Sequence, residues 1–381
     1  MSLPAAPRVV VAGGHSAGHI EPAMNYADAL RRADPSAEIT ALGTERGLDT
    51  TLIPARAYPL ELIPPVPLPR RLNRALLATP GRLAESVSAA GDVLDRMRAE
   101  VVVGVGGYVA MPAYLAAKRR GVPIIVHEAN ARAGVANRIA AHMTAHVFTA
   151  SPGTRLAHAV AIGMPLRPAI VSLDRAALRE EARREFGLAP DGPVLLVTGG
   201  SQGARAINWA VSSAAALLRS AGVQVLHIAG PKNPVDVPDA AGTPPYVVLP
   251  YVDRMHYAYA AADFAICRAG AMTCAELAAV GLPAAYVPLP LRGGEQRYNA
   301  EPIVAAGGGL LVDNDDLTPA WIEAEVLPRI TDPAAVRTMS AAAARTGARD
   351  AAEVLAEHTR NVVAEYRRVD RPRGHPGSTH A

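Results

Sequence analysis

The feature that most constrains this chain is an opening that occurs twice. Near the start, Val9-Val10-Val11-Ala12 runs into Gly13-Gly14 and then His15-Ser16-Ala17-Gly18. Far downstream, Leu195-Leu196-Val197-Thr198 runs into Gly199-Gly200 and then Ser201-Gln202-Gly203. Each joins an unbroken apolar run to two glycines and a loop of small residues that enters a helical pattern. Unbroken apolar runs suit strands buried on both faces, which belong to parallel sheets. Each opening is therefore expected to begin a doubly wound sheet of its own.

The rest of the pattern follows that rhythm. Strands are expected at residues 8–12, 38–42, 101–104, 123–127 and 146–149, with helices at 20–32, 83–99 and 108–120 between them. The rhythm restarts with strands at 193–198, 223–229, 246–249, 263–267, 283–288 and 309–312, and helices at 204–220 and 271–280. The charge-dense stretch 172–184 reads as the join, and helices are expected at 334–345 and 349–368. At 381 residues the chain exceeds the size at which one core stops growing. The expectation is an α/β chain of two facing Rossmann-like domains, residues 1–165 and 166–348, with ligands in a cleft between their strand ends. The helix at 349–368 is expected to return to the first domain, and residues 369–381, rich in Pro, Gly and His, to be a disordered tail.

Composition removes several function classes. A net charge of +3 provides no dense basic face, so no nucleic acid is expected as a partner. Cys267 and Cys274 make neither a disulfide framework nor a metal quartet and read as buried thiols. No basic-then-apolar leader opens the chain, and no run of about 18 apolar residues spans a bilayer, so a soluble chain is expected. Residues 64–83 set Val66, Leu68, Leu72, Leu76, Leu77 and Leu83 among Arg70, Arg71, Arg74 and Arg82. That mixture suits a surface meeting anionic lipid, and it equally suits a core-facing helix with a solvated charged side.

Small-residue loops at helix N-termini leave amides free for phosphate. Neither loop carries the dinucleotide fingerprint G-x-G-x-x-G, and Leu42-Gly43 stand where an acid would hold the ribose of NAD. The phosphate-loop lysine pattern is absent too, which weakens oxidoreductase and NTPase readings. Asp313-Asn314-Asp315 has a D-x-D form that can hold a divalent ion. Here it lies between a strand and Leu317-Thr318-Pro319, where helix capping explains it better, and no metal or other cofactor is expected.

The segment Gly13-Gly14-His15-Ser16-Ala17-Gly18-His19-Ile20-Glu21-Pro22 resembles the N-terminal loop of the MurG family, bacterial N-acetylglucosaminyltransferases that complete lipid II. The match continues through Gly43-Thr44-Glu45-Arg46-Gly47-Leu48-Asp49, Gly104-Val105-Gly106-Gly107-Tyr108 and His127-Glu128-Ala129-Asn130. It resumes at Gly199-Gly200-Ser201-Gln202-Gly203-Ala204-Arg205, Arg268-Ala269-Gly270-Ala271-Met272-Thr273, Glu276 and Glu295-Gln296-Arg297-Tyr298-Asn299-Ala300, in the family's order. The resemblance implies a GT-B glycosyltransferase of family 28 that moves N-acetylglucosamine, with inversion, from UDP-N-acetylglucosamine to the muramyl 4-hydroxyl of lipid I. It also implies peripheral attachment to an anionic membrane surface on the cytoplasmic face of the cell membrane. The same fold on another lipid or natural-product acceptor is the alternative, and a nucleotide-sugar-binding regulator without turnover is a third reading.

Residue roles carry over position by position. His19 is the expected catalytic residue, as base toward the acceptor hydroxyl or as a ligand of the acceptor diphosphate, imidazole being suited to neutral pH. Its other reading is a helix cap. Ser16, Ala17 and Gly18 match the junction of donor and acceptor, with His15 where the family usually has Gly. Asn130 matches a residue near the sugar, its amide both donor and acceptor, or else a turn residue. Arg167 matches a donor-binding residue near the hinge, following Met164 where Asn is usual. Ser201 is expected on a donor phosphate, or as a plain helix cap. The Val252 backbone matches a reader of the uracil edge. Ala271, Met272 and Thr273 lead the helix whose Glu276 suits a ribose diol, and Gln296 suits sugar hydroxyls, beside Glu295 where Gln is frequent.

Overall fold

The computed structural model describes residues 6–66, 75–290 and 294–369, with the backbone alone for 75–79. Two compact units emerge, one from residues up to 129, 133–165 and from 350 onward, the other from 130–132 and 166–349.

The first unit is a seven-stranded parallel sheet. Its strands are β1 (Arg8–Gly13), β2 (Glu38–Gly43), β3 (Leu60–Leu62), β4 (Val101–Gly106), β5 (Ile124–Glu128), β6 (Val147–Thr149) and β7 (Ala159–Ala161). They lie in the order β3-β2-β1-β4-β5-β6-β7. Successive residues of β1 face opposite sides, and both sides are covered, which is why the strand reads as unbroken apolar. Val9 and Val11 join Ile20, Met24 and Leu30 of the helix Ala17–Ala33 and Leu355 and Val363 of the helix Ala351–Val369. Val10 and Ala12 join Val87 and Leu94 of the helix Ala75–Met97 and Ala113 of the helix Ala110–Arg120.

The last helix is tied to the start of the sheet. Inside the core the Tyr26 hydroxyl donates to Thr359 Oγ1 at 2.9 Å. Arg367 donates from Nε and Nη2 to the two oxygens of Glu100 at 2.6 and 2.7 Å, and the Arg8 amide donates to the same carboxylate at 3.0 Å.

The second unit repeats the plan as a six-stranded parallel sheet. Its strands are β8 (Val194–Thr198), β9 (Gln224–Ile228), β10 (Tyr246–Leu249), β11 (Phe264–Cys267), β12 (Ala284–Tyr286) and β13 (Gly309–Leu311), in the order β10-β9-β8-β11-β12-β13. In each sheet the chain steps outward from its first strand and then returns to that strand's other side, between β1 and β4 and between β8 and β11. Loops leaving the carboxyl ends there diverge, and such switch points are where open α/β sheets bind ligands.

Several expectations need correcting. The helix expected from residue 20 begins at Ala17, because Ser16 already has the extended backbone of an N-cap. His19 therefore sits inside the first turn rather than at its start. The edge strands β3 and β7 were not expected, being three residues long and largely unburied. The helix expected at 204–220 is two, Arg205–Ser213 and Ala215–Ser220. The stretch 172–184 is no mere join: Asp174 caps the helix Arg175–Glu185 within the second unit, and Arg183 is buried, giving hydrogen bonds to the carbonyls of Ala189, Pro190 and Gly192 and to Asp263. The cap of the helix after Asp313-Asn314-Asp315 is Thr318, not that triad, because Asp313 is engaged by Arg297 and Asn314 by Arg268. Cys267 and Cys274 are free and buried, and burial pushes both thiols up.

In the segment read as lipid-facing, Leu68, Arg70, Arg71, Leu72 and Arg74 lie outside the described residues, as do the side chains of Leu76 and Leu77. The tail after 369 does too. Val66 is buried and Leu83 packs against the core beside exposed Arg82, so these two apolar residues serve the fold.

Burial raises the Glu100 pKa, but the bonds from Arg367 and Arg8 outweigh it and hold the group below its ordinary 4.5. A carboxylate depressed in the fold stabilises above its unfolded value, and that contribution disappears as the pH falls through the folded one. Glu100→Gln is therefore expected to lower the thermal midpoint at neutral pH, with wild type and variant converging below pH 4.5 in scans by circular dichroism.

Candidate active site

At the switch point of the first unit, β1 and β4 end in contact of backbone with backbone. A Cβ on Gly13 would lie 2.1 Å from Val105 Cγ2, and one on Gly107 would lie 2.8 Å from the Gly14 carbonyl. Gly106 and Gly107 have φ of 92° and 83°, which glycine adopts without strain. The His19 ring lies along this pair, 3.4 Å from where either Cβ would stand. Its Nδ1 is 3.2 Å from the Val105 carbonyl. A carbonyl oxygen only accepts, so Nδ1 carries a proton, and in the neutral ring the lone pair is on Nε2. That is the tautomer of a base, and the cap reading falls: Ser16 is the cap residue, and His19 uses its ring on β4.

The loop before His19 is braced by the 43–49 motif. His15 holds a left-handed backbone, φ 76°, at a cost of about 1–3 kcal/mol for a residue with a Cβ. Its amide donates to Asp49 Oδ1 at 2.6 Å, and its carbonyl accepts from the Leu48 amide at 3.2 Å. Asp49 is fully buried and also accepts from the Thr44 amide and hydroxyl at 2.9 and 3.2 Å. A Cβ on Gly47 would lie 2.4 Å from the His15 carbonyl, so glycine is needed for the brace to close. The His15 ring meets Tyr108 edge-on at 5.3 Å. His15, standing in place of the usual glycine, is thus accommodated by strain that Asp49 holds. Ser16 and Gly18 are exposed, Ala17 half-buried, and the leading amides of their helix have no partner within it.

Behind the ring lies a buried relay. The Tyr114 hydroxyl donates to Asn137 Oδ1 at 2.8 Å, and Asn137 Nδ2 donates to Glu128 Oε2 at 2.9 Å. Asn137 Nδ2 would lie 3.2 Å from a Cβ at Gly106, beside His19. Neighbouring His127 is driven down to about 4 by burial, against the Gly163 carbonyl that its Nε2 meets at 2.8 Å, so it stays neutral at physiological pH.

In the second unit the equivalent loop follows β8. The Gly200 amide donates to Thr198 Oγ1 at 3.2 Å, and the Gly203 amide to the Gly200 carbonyl at 2.9 Å. A Cβ on Gly199 would lie 2.2 Å from the Ala204 amide. The helix is capped at Ala204, so exposed Ser201 is not its cap. From the neighbouring β11, the loop through Gly270 enters the helix Ala271–Val280, whose first turn holds half-buried Ala271, Met272 and Thr273. Glu276 follows, 4% exposed; the Tyr259 hydroxyl donates to its Oε2 at 2.7 Å, and Arg167 Nη2 is 3.5 Å from Oε1.

The other expected residues sit on separate loops. Val252 is half-buried in the loop after β10. Gln296 Oε1 accepts from the Leu289 amide at 2.9 Å, which leaves its NH₂ as the outward group. Asn130 belongs to the second unit, where Asn299 accepts from the Ala131 amide at 3.0 Å and donates to the Ala269 carbonyl at 3.2 Å. Met164 is buried. Two residues escaped sequence reading. Asp49 lay inside a quoted motif with no role, and Tyr259 gave no signal, one aromatic among several in the helix Met255–Ala261. Among the described residues, no three His, Cys, Asp or Glu side chains are grouped to hold a metal.

The profiles of the glycosyltransferase family 28 N-terminal and C-terminal domains match residues 9–149 and 194–355. The chain belongs to glycosyltransferase family 28. Among its family 28 relatives is a Streptomyces avermitilis protein named UDP-N-acetylglucosamine–N-acetylmuramyl-(pentapeptide) pyrophosphoryl-undecaprenol N-acetylglucosamine transferase. It is 59% identical over 335 residues, covering 88% of this chain and 92% of that protein. A Mycolicibacterium smegmatis protein of the same name is 58% identical over 340 residues, covering 88% of each. Among solved structures, Acinetobacter baumannii MurG matches with a TM-score of 0.78 at 26% identity, over 93% of this chain and all of that one. The two parallel-sheet α/β units are thus those of the GT-B architecture.

For a family 28 enzyme the brace on His15 is a feature of the loop that carries His19. Asp49→Asn places an NH₂ against an amide donor and is expected to cost about 1–3 kcal/mol in urea unfolding. Asp49→Glu, with an added methylene in a filled site, is expected to destabilise as well.

Proposed function

We propose that this protein moves N-acetylglucosamine from UDP-N-acetylglucosamine to the muramyl 4-hydroxyl of lipid I, forming lipid II for peptidoglycan synthesis. The observation that carries this reading is identity of 59% across nearly the whole of a relative named for that transfer. The chemistry of the two switch points supports it.

In the first unit, His19 Nε2 is the base. As the acceptor hydroxyl oxygen attacks the anomeric carbon, its proton passes to Nε2, and the bond from that carbon to the diphosphate oxygen breaks. The electron pair leaves with UDP, and the anomeric centre inverts. Nδ1 stays bonded to the Val105 carbonyl throughout, which stabilises the imidazolium that forms. Ser16, Ala17 and Gly18 offer their helix's leading amides to phosphate.

In the second unit, the charge on departing UDP is met by the hydroxyl and amide of Ser201, by the helix N-terminus at Ala271, Met272 and Thr273, and by Arg167. Glu276 accepts from the ribose hydroxyls, the Val252 backbone reads the uracil edge, and Asn130 and the NH₂ of Gln296 address the sugar. These amides and dipoles take the role that a divalent ion has elsewhere.

A lipid-linked acceptor calls for work at a membrane surface. Among the described residues no helix is long and apolar enough to cross a membrane. Peripheral attachment on the cytoplasmic face is assigned to the segment that includes Arg70, Arg71 and Arg74, drawn to anionic headgroups.

Two measurements test the reading. With a lipid I analogue, His19→Ala is expected to lower kcat for UDP release by about 10² to 10⁴ while leaving donor KM near its wild-type value. A wild-type rate would remove His19 from the chemistry. The triple change of Arg70, Arg71 and Arg74 to Glu is expected to abolish pelleting with anionic vesicles, and unchanged pelleting would move the contact elsewhere.

A further inference from the structure

Glu276 is an awkward residue to leave on a buried surface. The residue is 4% exposed, on a helix whose neighbouring side chains are buried. A buried carboxylate is tolerated when donors fix it, and here a neutral phenol bonds it at 2.7 Å, closer than the 3.5 Å contact with Arg167. The Tyr259 hydroxyl donates to Oε2 at 2.7 Å, while Arg167 stands off at 3.5 Å from the other oxygen. Tyr259 is itself fully buried, and burial together with the Glu276 charge raises its pKa well above 10, so it remains a donor across the working pH range.

The backbone that carries Tyr259 is tied in place. Arg175 donates from Nε to the Tyr259 carbonyl at 3.0 Å, from Nη2 to the Ala262 carbonyl at 2.5 Å, and from Nη1 to the Gly281 carbonyl at 2.8 Å. Gly281 is the C-cap of the Glu276 helix. One guanidinium therefore ties the end of the helix bearing Tyr259 to the end of the helix bearing Glu276. Burial lowers its pKa to about 10, which still leaves it charged at neutral pH.

We infer that Tyr259 is a positioning residue that sets the Glu276 carboxylate for two adjacent hydroxyls of the donor nucleotide, making it the source of ribose selectivity. The inference rests on the proposed ribose role of Glu276. With Oε2 fixed by the phenol, the carboxylate plane is set, and Oε1 and the remaining lone pairs have one orientation to offer. Without the phenol the carboxylate turns toward Arg167, and the diol loses its matched acceptor.

The test is the affinity of purified full-length protein for UDP and for its 2′-deoxy and 3′-deoxy analogues, by titration calorimetry. Wild type is expected to favour UDP over each analogue by about 10- to 100-fold, the worth of a hydrogen bond to a charged group. Glu276→Ala should bring those ratios to about unity. Tyr259→Phe, which keeps the ring and its packing, should reduce them by at least about 5-fold. Added to Glu276→Ala, it should change them no further, as coupled residues do. The readout is a ratio of affinities, so loss of folded protein or uniform weakening does not mimic it. Should Tyr259→Phe not fold, Glu276→Asp, which withdraws the carboxylate by one methylene, is expected to give the same reduction. Wild-type ratios in Tyr259→Phe, beside collapsed ratios in Glu276→Ala, would overturn the role of Tyr259 and leave that of Glu276 standing. Absence of selectivity in wild type, or its survival in Glu276→Ala, would overturn both.

Discussion

Close approach of backbone to backbone at the carboxyl ends of β1 and β4 is the constraint on which the site of the first unit depends. Gly13 admits the Val105 side chain, Gly107 admits the Gly14 carbonyl, and Gly106 and Gly107 together leave a flat wall for an imidazole. Because the wall is backbone, it presents a carbonyl at a fixed place, and the Val105 oxygen selects the His19 tautomer. The proposed base role of Nε2 thus rests on strand packing. The second unit uses the same device: at Gly203 a Cβ would lie 2.0 Å from the Ala229 carbonyl, so only glycine lets the loop after β8 lie against β9.

Such loops are stiff only where something opposes their strain. His15 adopts a backbone that a Cβ disfavours, and the opposing force is a buried carboxylate with three donors from two segments. Glu276 in the second unit is built on the same logic, a buried acid fixed by a donor from another helix. Asp49 braces the loop beside it, whereas the Glu276 carboxylate is itself the proposed acceptor. Acids held this way cost desolvation, which their hydrogen bonds offset, and they gain orientation that a solvated side chain lacks.

The fold was legible where local pattern and burial agree. Val9 to Ala12 and Leu195 to Val197 are buried on both sheet faces, so their unbroken apolar runs reported parallel strands directly. Edge strands β3 and β7 have little burial to announce them, and the helix Arg175–Glu185 was hidden because its buried residues are only an alanine, Ala182, and an arginine, Arg183. The candidate residues around His19 were legible as a motif, yet the reason for the motif was not. Gly106 and Gly107 serve the ring of His19, far earlier in the chain. Asp49 serves a bond to His15 that spans 34 residues, and Tyr259 serves a carboxylate on another helix. Periodicity reports which side of an element is buried, and it carries no record of which distant atom a polar side chain will meet.

The central claim is that one chain joins a base at the first switch point to a nucleotide-sugar site at the second for a single transfer. The most direct measurement is the product itself, made by purified protein from UDP-N-acetylglucosamine and a lipid I analogue and examined by mass spectrometry and by NMR of the new anomeric proton. The account predicts addition of one N-acetylhexosamine in β linkage at the muramyl 4-position, with UDP released in equal amount. An α-linked product, or a donor consumed without any sugar on the acceptor, would contradict it.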